Sequence, residues 1–383
     1  MNTVIAAMES KNDLDATSSQ LLGECYFLRA FAHFNLVRFY AQPYPVNPDA
    51  PGIVVRQSIE DPSQKPGSTV KEVYDAVIAD GKKGAELMNQ PRGNVYASKE
   101  AAYALLSRIY LYKENSDSAI FYSDLVINSG RYALEDADSY PDLFANAKTA
   151  RETILCAGFT SKEDYGKFGS IASMIYSNGN SGWGEEFASE SLRKIMNEYP
   201  EDIRNSYIIP LFDYDGDIAT LNGVDVYYIS KFSFQDGSPT LSFLVLFRLA
   251  EMYLNRAEAY ARKGDAANAL KDLDEIRKNR GLEAALYNGV VPPGYSLQET
   301  VLKERRIELA FEGHRTSDLF RNKMDLKRTY WGYHIPGLKE TDIDPSVEPV
   351  NYPNTVISWN DSRITYFIPI DEIETNPSVV QNP

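Results

Sequence analysis

The chain's 383 residues are 43% hydrophobic, enough for a sizeable core, and carry a net charge of −15. So acidic a surface repels phosphate backbones and argues against nucleic-acid binding, and no run reaches the roughly 18–20 apolar residues of a membrane span. Cys25 and Cys156 are too few for a disulfide framework or a zinc site, whereas 26 Tyr and 17 Phe supply many flat apolar faces.

The opening "MNTVIAAMESKNDLD" has neither the basic n-region nor the apolar h-region of a signal peptide. From Ser18 to about Gln42, "SSQLLGECYFLRAFAHFNLVRFYAQ" predicts a helix with apolar residues on nearly every azimuth, buried on several sides, with Cys25 in its core. "PYPVNPDAPG" breaks that helix, and Thr69 with Glu72 forms a capping box for the next. Two helix–turn–helix units then stand out, at 98–130 and 242–281. Each has an aromatic residue near the end of its first helix and an alanine nine residues on: Tyr110 and Ala119, then Tyr260 and Ala269. A small residue, Ser107 or Ala257, precedes each aromatic by three. This is a tetratricopeptide-like pattern, in which small side chains let paired helices approach and a ring fills the gap beside them.

Between those units, 131–241 is rich in Gly, Ser, Asn, Tyr and Asp, and "YYISKFSF" (227–234) predicts a strand. Beyond Lys323, Pro336, Pro345, Pro349 and Pro353 mark a second irregular stretch. The expected fold is mostly α. A tetratricopeptide-like scaffold at 1–130 and 242–323 carries a loop-rich, partly β, ligand-facing half made of 131–241 and 324–383.

"LKERRIELAFEGHRTSDLFR" (302–321) crowds acids, bases and a histidine together. Ser296 and Glu299 predict a capped start, with the helix running from Leu297 to Glu312 and stopping at Gly313. Its apolar arc contains Glu304, Arg305, Glu308 and Glu312, and charges on a buried face must be paired. Arg305 is expected to meet Glu308 and Glu312, with Arg315, Asp318 or the preceding helices supplying the remaining partners, and His314 to serve the last helical carbonyls. The stretch reads as a structural ion-pair latch rather than a catalytic cluster.

"LKERRIELAFEGHRTSDLFRNK" resembles the C-terminal motif of the SusD/RagB family of outer-membrane nutrient-binding lipoproteins. "GECYFLRAFAHFNLVRFYAQPYP" (23–45), "VLFRLAEMYLNRAEAYAR" (245–262) and "YFIPIDEIETNPSVVQNP" (366–383) are similar to three further family segments, in the family's order. The resemblance implies four tetratricopeptide-like helix pairs cradling an irregular ligand-facing half. It also implies a non-enzymatic role at the cell surface, capturing oligosaccharide and passing it to a SusC-like TonB-dependent outer-membrane transporter. The family usually begins with a lipoprotein signal and a lipidated cysteine, but this sequence opens in a stretch resembling a later helix. Either an N-terminal portion is absent or the member is shortened, and membrane association would rest on a lipid anchor absent from this chain. Two departures remain: Thr316 and Ser317 replace an aromatic pair, loosening the latch, and the chain finishes at Pro383 without a Gly-aromatic ending.

Candidate ligand-binding residues follow from side-chain chemistry. Trp183, flanked by Gly182 and Gly184, suits stacking against a sugar's C–H face, with Tyr176, Asn178, Asn180 and Glu185 beside it for hydroxyls. Trp331 with Tyr330, in "RTYWGYH", forms a second group, and Tyr44, between two prolines, a third; Trp359 is expected in the core. Asp213, Asp215 and Asp217 alternate as calcium ligands can, but the spacing fails as an EF-hand. No cofactor or metal is expected. No G-x-S-x-G, P-loop or H-x-x-x-H occurs. A peptide-binding scaffold is the first alternative and a glycoside hydrolase the second, because hydrolytic carboxylates are paired in space rather than in sequence.

Overall fold

The computed structural model describes residues 1–11, 13–158, 160–163 and 170–382; Pro383 lies outside them. Helices α1 (Asn2–Glu9), α2 (Ala16–Tyr40) and α3 (Val70–Leu87) open the chain, followed by the hairpin α4 (Lys99–Tyr112) and α5 (Ser116–Ile127). Asp15 caps α2 through Ser18 N–H, and the Thr69–Glu72 capping box forms as expected. The α2–α3 crossing is close because both helices present glycine there. A Cβ on Gly84 would stand 3.0 Å from the Gly23 carbonyl and 3.1 Å from the Phe27 nitrogen. In α4–α5 the small residues do their expected work: Ser107 and Ser123 hydroxyls lie 2.8 Å apart, and Tyr110 stacks on Tyr122 at 5.5 Å.

After α5 come strand β1 (Thr153–Ala157) and the short helices α6 (Ile171–Ile175) and α7 (Glu190–Met196). The strands β2 (Ile208–Pro210), β3 (Thr220–Leu221), β4 (Val224–Asp225) and β5 (Tyr227–Ile229) follow. The 227–234 run is therefore a strand only to Ile229, paired antiparallel with β2; Phe234 turns left-handed at φ 72°. The second hairpin, α8 (Leu249–Arg262) and α9 (Ala266–Lys278), forms, but 244–248 ahead of it is strand β6 rather than helix. Its partner decides this: Leu244–Arg248 runs antiparallel to buried β1, which takes up its backbone groups, so the pair straddles the expected boundary at 241.

Helix α10 (Leu297–Glu308) and helix α11 (Arg315–Arg321) complete the scaffold, with β7 (Leu326–Lys327), β8 (Val356–Ile357) and α12 (Ile370–Thr375) beyond. The Ser296–Glu299 box starts α10, but the helix stops at Glu308, four residues short of the expectation. Cations from elsewhere take its terminal carbonyls. Lys231 Nζ donates to the carbonyls of Glu308 and Ala310, both at 3.0 Å, and Arg248 donates to Glu308 O at 2.7 Å. His314 does not serve those carbonyls. It precedes α11, buried, with no hydrogen bond at Nδ1 among the described residues.

The latch charges are paired, through Asp318 and other elements as expected, but not through Glu308 or Glu312 in the case of Arg305. Glu308, fully buried, accepts from Arg204 at 3.1 Å, Arg248 at 2.6 Å and Arg280 at 2.8 Å. Arg204, Arg248, Arg277, Arg280 and Lys231 face Asp202, Glu152, Glu304, Glu308 and Glu312, a balanced set. Arg305 turns to Asp318 (3.1 Å) and Glu258 (3.4 Å), joined there by Arg321. The network thus ties the irregular half, through Glu152, Asp202, Arg204 and Lys231, to β6 and α10. Cys25 is half-buried between α1 and α2, not in the main core, and Trp359 is likewise only half-buried.

Candidate functional site

Trp183 is held outward by its glycines. Gly182 and Gly184 adopt φ 81° and 60°; a Cβ on Gly182 would fall 2.0 Å from the Tyr176 carbonyl oxygen, and one on Gly184 2.3 Å from the Tyr228 ring. Main-chain bonds from Trp183 N to Ser173 O (2.7 Å) and from Glu185 N to Met174 O (2.8 Å) bind the loop along α6. The indole is 51% exposed, next to the exposed side chains of Asn180 and Glu185. Asn178 is exposed too, but its side-chain oxygen accepts the backbone N–H groups of Asn180 and Ser181 at 3.0 and 2.8 Å and so shapes the turn. Tyr176 requires a correction: it is buried, its ring edge-on to Phe234 at 5.6 Å, because an apolar ring beneath the loop packs more favourably than one in water.

Trp331 and Tyr330 line a cleft of about 760 Å³ between α7 and the 343–349 loop. Trp331 is half-buried and anchors that loop, its indole N–H shared between the carbonyls of Asp344 (3.1 Å) and Val347 (3.0 Å), with Tyr352 edge-on at 5.7 Å. Tyr330 packs on His334 at 4.8 Å. Across the cleft stand Arg193 of α7 and Asn197 at its C-terminal cap, with Asp225 and Glu348 adding carboxylates. Arg193 lies 3.8 Å over the Tyr227 ring, and its Nε makes no hydrogen bond among the described residues. Sequence reasoning missed this polar wall, although Glu190, Arg193, Lys194 and Asn197 repeat at i, i+3, i+4 and i+7, the signature of one helical face.

The two tryptophan segments meet through Phe187 and Tyr333, edge-on at 5.7 Å. Tyr44 does not join them. It packs on Tyr74 at 4.8 Å beside Lys113, where the end of α2 meets the C-terminal segment. The Asp213–Asp217 turn is closed by Asp213 itself, whose carboxylate accepts the N–H groups of Asp215 (2.9 Å) and Asp217 (3.0 Å), and it presents Tyr214 and Phe212 to solvent. Among the described residues, no group of three or more His, Cys, Asp or Glu side chains is arranged to hold a metal ion.

Stacked helix pairs carrying an irregular face with exposed aromatic and planar polar groups are an architecture that suits binding proteins. Comparisons make that class specific. Residues 214–383 match the profile described as "SusD family", and residues 1–111 match "Starch-binding associating with outer membrane". "SusD-like protein P38" of Formosa agariphila is 26% identical over 356 residues, covering 82% of this chain and 69% of that protein. "Starch-binding protein SusD" of Bacteroides thetaiotaomicron is 30% identical over 138 residues, 36% of this chain and 20% of that one. A SusD superfamily crystal structure from Bacteroides thetaiotaomicron superposes with a TM-score of 0.85 at 28% identity, covering all of this chain and 82% of the other. The chain belongs to the SusD/RagB family.

Proposed function

We propose that this chain is a non-enzymatic receptor for oligosaccharide nutrients at the bacterial outer surface, handing its ligand to a SusC-like TonB-dependent transporter. The family's printed description, starch-binding and outer-membrane associating, supports the ligand class and the location. The cleft beneath Trp331 and Tyr330 carries the reading. It sets aromatic faces beside Arg193, Asn197, Asp225 and Glu348, the mixture that suits a sugar's C–H faces and hydroxyls. Trp183 is a second platform, linked to this cleft through Phe187 and Tyr333. Each stacking contact contributes on the order of 0.5–1.5 kcal/mol beyond area burial. A few of them give micromolar to millimolar affinity, weak enough for release to a transporter.

Calorimetric titration of the purified chain with an oligosaccharide panel, repeated on three variants, tests this. Trp331→Ala should weaken binding at least tenfold. Trp331→Phe keeps a ring but loses both loop hydrogen bonds, so it separates platform from anchor. Trp183→Ala should weaken the longer ligands more than the shorter ones. Unchanged affinity in both alanine variants would remove these tryptophans from the site.

A further inference from the structure

A second cleft, of about 220 Å³, lies where the end of α2, α11 and the β7–β8 pair converge. Its lining contains Arg38, Arg321, Arg328 and Arg363 and no Asp or Glu. In a chain of net charge −15 that is unusual, because most arginines here are matched to carboxylates. Arg321 is matched by Glu258 and Asp318, and Arg363 by Asp361 at 2.7 Å. Arg38 and Arg328 are not matched. Arg38 lies over the rings of Phe34, Phe39 and Tyr112 at 5.6–5.8 Å and hydrogen-bonds Asn35 Oδ1 (3.2 Å), Gly313 O (3.4 Å) and Ser317 Oγ (3.4 Å), but it meets no carboxylate, and its Nε is buried without a hydrogen bond among the described residues. The Arg328 backbone N–H donates to Thr355 O, but its guanidinium has no hydrogen bond or ion pair among the described residues.

Arg315, on α11 beside Thr316 and Ser317, has no carboxylate ion pair among the described residues either, and burial first and then repulsion from Arg306 bring its pKa down to about 10. A further polar atom awaits a partner at the cleft: Tyr112 is 3% exposed, lines the cleft, and its hydroxyl makes no hydrogen bond among the described residues. The wall also carries Tyr44 and the 63%-exposed Tyr366, flat faces for a ring. Small Thr316 and Ser317 leave the space open.

We propose that this cleft is an oxyanion site that takes the acidic group of a charged sugar, a carboxylate or a sulfate ester, with Arg328 and Arg38 as its cationic ligands and Tyr44 and Tyr366 flanking the ring. A volume of about 220 Å³ suits one acidic residue, not a chain. The site is separate from the Trp331 cleft and does not depend on its ligand.

The test is titration of the full chain with glucuronate, inorganic sulfate and glucose at constant ionic strength, followed by calorimetry. Glucuronate or sulfate should bind saturably and glucose should not. Glucuronate alone identifies a carboxylate site, sulfate alone a sulfate-ester site, and mutual competition a site for either. Arg328→Gln should weaken anion binding at least tenfold, since charge-assisted bonds are the strong ones. Its guanidinium makes no internal bond, so its melting temperature should match wild type. Arg38→Gln should do the same to binding, with a melting shift wherever its contacts to Gly313 and Ser317 matter. The proposal is overturned if neither anion binds, if glucose binds as well as glucuronate, or if Arg328→Gln binds anions as tightly as the native chain.

Discussion

Glu258 and Asp318 are buried carboxylates whose desolvation favours the neutral acid, yet Arg321 and Arg305 outweigh it and hold both groups down to about 2. Glu308 is pushed the same way by Arg280, Arg248 and Arg204. Unfolded carboxyls titrate near 4.3 for Glu and 3.9 for Asp. A carboxyl depressed in the fold contributes stability that is fully present above the unfolded value and is lost as pH falls through the folded value. The melting temperature should therefore stay level down to about pH 4.5 and then fall steeply towards pH 2, which calorimetry across that range will show. A melting temperature constant to pH 2.5 would mean that these pairs do not form. The same residues explain why 302–321 looks catalytic in sequence: its buried acids are each paired with guanidinium groups. The sequence offers Asp318 and the preceding helices as partners beside Arg305's own helix, but it does not choose among them, because Glu258 lies on α8 and Asp318 on α11.

At the scale of elements, helices with their own caps and periodicity were readable, and elements defined by a distant partner were not. The capped starts at Thr69 and Ser296 and the small-residue hairpins α4–α5 and α8–α9 are local features, and all of them form. The stretch 244–248 is a short apolar run that fits strand or helix equally by pattern, and β1, some ninety residues away, settles it. The candidate site divides the same way. Outward placement of Trp183 is local, set by two flanking glycines; burial of Tyr176 and the joining of α7 to the Trp331 loop depend on the tertiary fold. Tight α2–α3 packing yields a further prediction. Gly84→Ala gains about 1 kcal/mol of helix propensity, but its Cβ meets backbone atoms of α2 at 3.0 and 3.1 Å. Overpacking costs about 1–3 kcal/mol, so denaturant unfolding should show a net loss of stability. A gain would show that the two helices separate freely.

Across the whole molecule, the balanced ion network fastens the irregular half to the helical scaffold, so the loops that carry Trp183 and Trp331 rest on a rigid base. Such a base lets loops vary while the scaffold stays constant, and for that reason the motifs that identify the family do not specify a ligand. The central claim is capture without chemistry. Its most direct test is to incubate the purified chain with mixed oligosaccharides, isolate the protein-bound fraction and weigh both fractions by mass spectrometry. The account predicts that one glycan class is retained, that it is recovered at its original mass, and that no shorter products accumulate with time. Retention of none, or steady release of shortened fragments, would contradict it.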